Sequence, residues 1–334
     1  MVRFLCNAVL AASLMGGVFA HPGQDIQEEM IERNAYAASP DYQNLDHCAA
    51  EIKERDHELV ARRMAMVDEL RQKRGIKVKR TFAEVLAKNH QSTKKVTADS
   101  PYSTIFGSNN SCILQAETTE GPYYVTGEFV RKDITDGQRG VPLTYDIQAC
   151  IIDTTTCKPL ANVALEHWSC NSTGVYGGVV NPSNGNPRDS SNLRNTMLRG
   201  TQFTDSSGIL QMESIFPGHY NGRATHIHIL AHVGATTAAN GTLTGGHISH
   251  VGQLFFDQSL ITKVEATSPY TTNRQSLLTN RNDGIFADEA ARSDPVMNYV
   301  LLGNSVSQGI FGWATVGINS RTSKTVVPAG HYDG

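Results

Sequence analysis

The chain changes texture near residue 101. Downstream of it, short runs rich in β-branched and aromatic residues alternate with clusters of Gly, Pro, Asn, Asp and Ser. LTYDIQACIID (143–153), NVALEHWSC (162–170) and GQLFFD (252–257) have the length and the bounding turn residues of strands, and a last strand is expected in FGWATVGI (311–318). Regular turn spacing favours a β-sandwich or barrel over a doubly wound sheet. Residues 177–195 and 234–250 carry no period and are predicted as long loops, which on a compact β domain commonly line sites. One short helix is expected around Asp288–Tyr299. Residues 25–96 are charged and poor in glycine. There Cys48, Ile52, Leu59, Met66 and Leu70 form the loose stripe of an amphipathic helix over Asp46–Lys73. The predicted architecture is all-β: a β-sandwich core over 101–334 with a helical N-terminal extension over 21–100.

One run in the β-rich part bears chemistry. In FPGHYNGRATHIHILAH (216–232), the period of two places His226 and His228 on one face of a strand, with Ile227 and Ile229 on the other. Two imidazoles side by side on a strand can chelate one metal ion. Tyr220, six residues before His226, can fold back as a third ligand, and Arg223 stands between them. A lone H-x-H also suits two hydrogen-bonded strand histidines, so the neighbours carry the weight.

Composition narrows the setting. The 334 residues include 29 glycines and are 40% hydrophobic, which fits a globular, turn-rich chain. A formal net charge of −3 offers no basic surface for nucleic acid. Arg3, the apolar run Phe4–Phe19 and Val18-Phe19-Ala20 read as a secretory signal peptide over 1–20, the alternative being an N-terminal core helix; no later stretch suits a membrane span. A secreted, extracellular chain permits disulfides. Cys150 with Cys157 and Cys112 with Cys170 are the expected pairs, leaving Cys48 odd. Asn109, Asn171 and Asn240 begin N-glycosylation patterns. Lys79-Arg80 is a dibasic pair, so the extension reads either as a removable pro-segment or as a helix packed on the main domain or on a second subunit in a homodimer.

Further motifs fall in order along the chain. They are ETTEGPYYV (117–125), HWSCNSTGVYGG (167–178) with its W-x-C-x-x-x-G-x-Y pattern, LRGTQFTDSSGILQMESIFPGHY (198–220), and the R-x-x-H-I-H core followed by GQLFFD. With these the chain resembles the intradiol ring-cleavage dioxygenases, typified by catechol 1,2-dioxygenase and protocatechuate 3,4-dioxygenase. The likeness spans Glu117 to Gly317 and is strongest to a secreted, fungal-type branch. It implies an enzyme that uses Fe(3+) and O2 to open an aromatic diol to a cis,cis-muconate-type diacid. It implies Tyr176, Tyr220, His226 and His228 as metal ligands, with Tyr220 the one displaced by substrate. It places Arg223 near the substrate ring and Gln253 beside the ligands. Ferric iron is hard and highly charged, and phenolate oxygens suit it.

Structural alternatives exist at each position. Tyr176 suits a strand end with a bonded hydroxyl, Arg223 a pairing with Asp205 or Glu213, and Gln253 an ordinary polar strand site. His232 shares the face of the H-x-H pair but lies beyond it. His219, His247 and His250 fall in loop contexts and suit exposed or locally bonded roles, Trp168 suits the core, and Tyr123 and Tyr124 divide between pocket lining and core packing. One departure from the better-known members stands out: only Asn221 and Gly222 separate Tyr220 from Arg223, where those members carry a longer insert. A shorter wall predicts a shallower pocket that admits bulkier phenolics. The competing class is a secreted β-sandwich module that binds metal or phenolics without catalysis. Four intact ligand positions argue against it.

Overall fold

The computed structural model describes residues 31, 34–35, 38, 46–76, 121–148, 152–291 and 294–332. The signal segment, the dibasic pair, Asn109, Cys112 and Cys150 lie outside the described residues. Among these residues the strands are β1 (Val125–Thr126), β2 (Pro142–Gln148), β3 (Ile152–Asp153), β4 (Ala164–Trp168), β5 (Arg199–Phe203), β6 (Ile209–Ile215), β7 (His226–Thr237), β8 (Leu243–Phe255), β9 (Asn298–Leu301), β10 (Ile310–Ala314), β11 (Gly317–Ile318) and β12 (Gly330–His331). The α-helices are α1 (Ala49–Lys73), α2 (Gln258–Glu265) and α3 (Gly284–Ala290). The fold is β-rich, with mixed sheets and few helices.

Two four-stranded sheets carry the architecture. One has the order β6-β2-β10-β9 and mixes parallel with antiparallel pairs; the other, β5-β4-β7-β8, is antiparallel throughout. Alternation assigns their faces. Leu143, Tyr145 and Ile147 of β2, Leu210 and Met212 of β6, and Ile310 and Ala314 of β10 join one buried cluster with Leu165 of β4, Ile227, Ile229 and Ala231 of β7 and Leu254 of β8. Each buried Leu, Ile or Met among them contributes about 1.5–3 kcal/mol by leaving water. Leu260, Ile261 and Val264 of α2 close the end of this cluster.

The outer face of the mixed sheet is covered by α1. Val67 packs with Val300, Leu302, Phe311 and Trp313, flanked by Met66, Leu70 and Ile76. Arginines complete the contact: Arg71 Nε donates to Leu302 O at 3.0 Å, and the Arg63 guanidinium lies 5.3 Å from the Trp313 ring centre. The helix ends where Gly75 takes φ +63°, with Ile76 N–H bonded to Arg71 O and Gly75 N–H to Gln72 O. That is a Schellman stop, and Ile76 supplies its apolar contact.

Several sequence expectations are corrected. Cys157 pairs with Cys48, not with Cys150, bridging α1 to the domain across a separation of 109 residues; Cys170 is free and buried, so it does not pair with Cys112. Residues 234–250 are not a loop but the paired ends of β7 and β8, and His247 and His250 therefore lie on a strand. The helix expected at Asp288–Tyr299 is α3, which starts earlier, at the Asp283 cap, and gives way to β9. Among the described residues no helix is long and apolar enough to cross a membrane.

Candidate metal centre

The outer face of the antiparallel sheet is also covered, by aromatic rings. Strand β7 begins at His226, and His228 stands opposite Trp168 on β4 and Gln253 on β8. The Trp168 indole stacks on the His228 ring at 4.8 Å and 3°, which fixes the imidazole plane. His226 Nδ1 lies 2.6 Å from Ala224 O; a carbonyl only accepts, so Nδ1 carries the proton and Nε2 the lone pair. The two Nε2 atoms are 3.0 Å apart. Nitrogens that each sit roughly 2.1 Å from one ion would be separated by about that distance.

Tyr220 arrives from the β6–β7 connection. Gly218 there lies against the carbonyls of Asn171 and Ser172, where a Cβ would come within 2.5 Å, and Gly222 at φ +88° turns the chain back toward Arg223. The Tyr220 hydroxyl reaches 3.4 Å from His226 Nε2. Tyr176 arrives from the segment after β4, where Asn171 Oδ1 accepts from Thr173 N and Val175 N in an Asx-type turn. The side chain of Asn184 bonds both the N–H and the carbonyl of Tyr176, at 2.8 Å each, and Asn192 Nδ2 donates to the same carbonyl at 2.7 Å. The 177–195 stretch is thus pinned by buried asparagines. The Tyr176 and Tyr220 rings meet edge-on at 5.3 Å, and Tyr123 stacks on Tyr176 at 4.5 Å.

Burial dominates the electrostatics. It pushes the Tyr176 phenol well above the ordinary tyrosine range, reinforced by neighbouring Tyr220, and it raises Tyr220 too, although the Arg223 charge opposes this. The Tyr176 hydroxyl is buried with no hydrogen-bond partner. A buried phenol in that condition is costly, and a high-charge cation in place of its proton would resolve the cost. The donor set of two phenols and two imidazoles therefore fits a ferric ion.

Arg223 and Gln253 adjoin this group. Arg223 is fully buried; its Nη2 donates to Gln253 Oε1 at 2.5 Å and its Nε to Asp283 Oδ2 at 3.0 Å. The partner is thus Asp283 rather than Asp205 or Glu213, which instead pair with Arg62 and Lys132. Burial pushes the Asp283 carboxyl up, but the Arg223 charge and the Ala224 and Phe286 N–H groups win and hold it below the usual carboxylate range. Asp283 was missed in sequence because the helix was placed four residues too late; the Asp-Gly step at 283–284 is the cap signal. The other histidines stay outside: His232 bonds Glu166 at 2.6 Å, His219 bonds Glu265 at 2.8 Å, and His247 bonds Ser320 O at 3.0 Å. Tyr124 is tied to Glu166, whereas Tyr123 faces the two site tyrosines.

No protein-family model matches the chain, and no curated protein matches it. Solved structures do. An intradiol ring-cleavage dioxygenase from Tetranychus urticae is 29% identical with a TM-score of 0.52, over 64% of this chain and 98% of that one. The crystal structure of a further dioxygenase gives 28% identity and a TM-score of 0.51 over the same shares. The likeness thus spans nearly the whole of each neighbour and supports a dioxygenase enzyme.

Proposed function

We propose that this chain is a secreted Fe(III)-dependent intradiol dioxygenase of the fungal-type branch, built on a β-sandwich, which cleaves catechol-type or polyphenolic rings with O2. The observation that carries the reading is the convergence of Tyr176, Tyr220, His226 and His228 in one buried space, with an unpartnered phenol and two imidazole nitrogens 3.0 Å apart. Those four side chains would hold the iron. Ferric iron bound there would supply Lewis acidity and make a chelated catechol electron-rich enough to react with dioxygen.

The protein's own groups divide the remaining work. Tyr220, on the short connection and beside His226, is the ligand expected to yield to substrate and take up one of its protons. Arg223, clamped by Asp283 and Gln253, presents a fixed positive charge to negative charge developing on the ketonised ring, and preorganised donors of this kind act without reorganisation. Trp168, Tyr123 and Phe255 keep water from the site, and the Cys48–Cys157 disulfide accords with an oxidising compartment.

Anaerobic addition of a catechol panel to the iron-loaded protein, followed by oxygen uptake, tests the reading. The expected result is a burgundy-red protein whose visible band shifts on catechol binding and which consumes oxygen to give a ring-opened diacid. A colourless protein with full iron content would overturn it. A red protein that consumes no oxygen with any catechol would favour the binding module.

A further inference from the structure

Behind the tyrosines lies a buried ion pair that none of the chemistry above uses. Arg199 opens β5 opposite Trp168, the residue stacked on His228. It is 1% exposed and its Nη1 meets Glu128 Oε1 at 3.2 Å, with that glutamate equally buried. Its other donors leave the pair. Nε donates to Gly177 O at 2.8 Å, the carbonyl directly after Tyr176, and Nη2 donates to Tyr123 O. One planar guanidinium therefore spans two chain segments 54 residues apart, and the rings those segments carry are the ones stacked at 4.5 Å.

We infer that Arg199 is a positioning residue for the metal centre: its guanidinium sets the Tyr123–Tyr176 stack and thereby the aim of the Tyr176 hydroxyl. The inference rests on the dioxygenase reading for its effect on iron and on geometry alone for its effect on the protein. A point-charge ammonium on a flexible stem cannot make three divergent, coplanar bonds, so lysine is not an equivalent here. Glu128 Oε1 accepts the guanidinium's third bond, and the two carbonyl bonds do the aiming. Nearby bonds brace the Tyr123 segment from outside: Ala329 N–H donates to Tyr124 O and Tyr332 N–H to Thr126 O. Both of these bonds reach that one segment, whereas Arg199 bonds both segments.

The test compares Arg199→Lys and Glu128→Gln with wild type in the full chain. Arg199→Lys is expected to keep iron yet shift the tyrosinate-to-iron band and lower kcat by about 10–100-fold, with KM moved far less. Glu128→Gln retains an acceptor for the guanidinium and is expected to leave the band in place. An unshifted band and unchanged kcat in Arg199→Lys would overturn the inference, as would an equal shift in Glu128→Gln, which would make the charge pair rather than the carbonyl clamp responsible. Hydrogen exchange on metal-free wild type needs no variant. Peptides covering 121–126 and 174–180 are expected to open together, and separate opening free energies would overturn the clamp. A wild type that binds no iron sinks the dioxygenase reading and leaves the exchange result standing.

Discussion

The two large sheets share one apolar interior but their outer faces are closed by different means. On the mixed sheet, Phe311 and Trp313 are covered by a separate helix, which is held by a disulfide, by arginines and by modest apolar contact. On the antiparallel sheet, His226, His228 and Gln253 are covered by rings from the sheet's own connections, Tyr176 after β4 and Tyr220 before β7. The first cover is detachable in principle because most of it comes from one segment joined at few points. The second is woven into the sheet, so its polar groups are held whether or not a metal is present. A stable fold needs both faces closed; a metal centre needs the woven kind, since small displacements there cost reactivity.

His226→Ala strikes the woven side and should give the largest effect. Loss of one imidazole from the set is expected to cost at least about 100-fold in iron retention, beyond what supporting residues usually cost, with the colour and oxygen uptake lost together. Metal analysis after gel filtration checks it, with thermal unfolding of the iron-free protein as control. Unchanged iron content would remove His226 from the ligand set. Limited proteolysis should show α1 as well protected as in wild type; if it is released, the two covers are coupled.

The Cys48→Ser/Cys157→Ser double variant strikes the other side. In the chain-entropy picture a bridge across 109 residues contributes about 4–5 kcal/mol by restricting the unfolded chain. A fall of that order in denaturant stability, with α1 the first segment to be digested, is the expected outcome. Iron content and the visible band should not move. A lost band would mean that α1 helps to hold the centre open to iron.

The woven side was largely legible in the sequence, because strand alternation places His226 and His228 together and the flanking motifs locate both tyrosines. What escaped were partners fixed by tertiary packing: Asp283 beneath Arg223, the Trp168 stack, and the asparagines that pin Tyr176. The hairpin ends at 234–250 escaped for a different reason. The stretch carries no strand period, yet Gly246 marks close backbone approach: a Cβ would lie 2.6 Å from Ala235 N. On the helical side the amphipathic stripe identified α1, but nothing local could pair Cys48 with a residue 109 positions away. Alternation also predicts polar, solvated outer faces, whereas every residue of β4 is buried on both sides.

The smallest effect separates the ionic from the covalent part of the detachable cover. Arg62 on α1 meets Asp205 Oδ2 at 3.0 Å, while Asp205 Oδ1 accepts the Ser207 and Ile209 N–H groups of its own turn. Burial pushes the Asp205 carboxyl up, but the backbone N–H of Ile209 and the Arg62 charge outweigh it and hold the group below its ordinary value. A carboxyl depressed in the folded state adds stability above its unfolded value of about 3.9, and that stability is lost as pH falls through the lower folded value. Asp205→Asn keeps the Oδ1 turn bonds and removes only the charge. Both side chains are about two-fifths exposed, so solvent screening limits the loss to roughly 0.2–1 kcal/mol near neutral pH. Unfolding free energies from denaturant melts of wild type and variant should differ by that amount at pH 7, converge as the solution is acidified below the folded value, and converge again in molar salt at pH 7. A difference that survives both treatments would mean that Asp205 acts through its turn and not through Arg62, leaving the disulfide, the apolar contact, Arg63 and Arg71 to hold the helix.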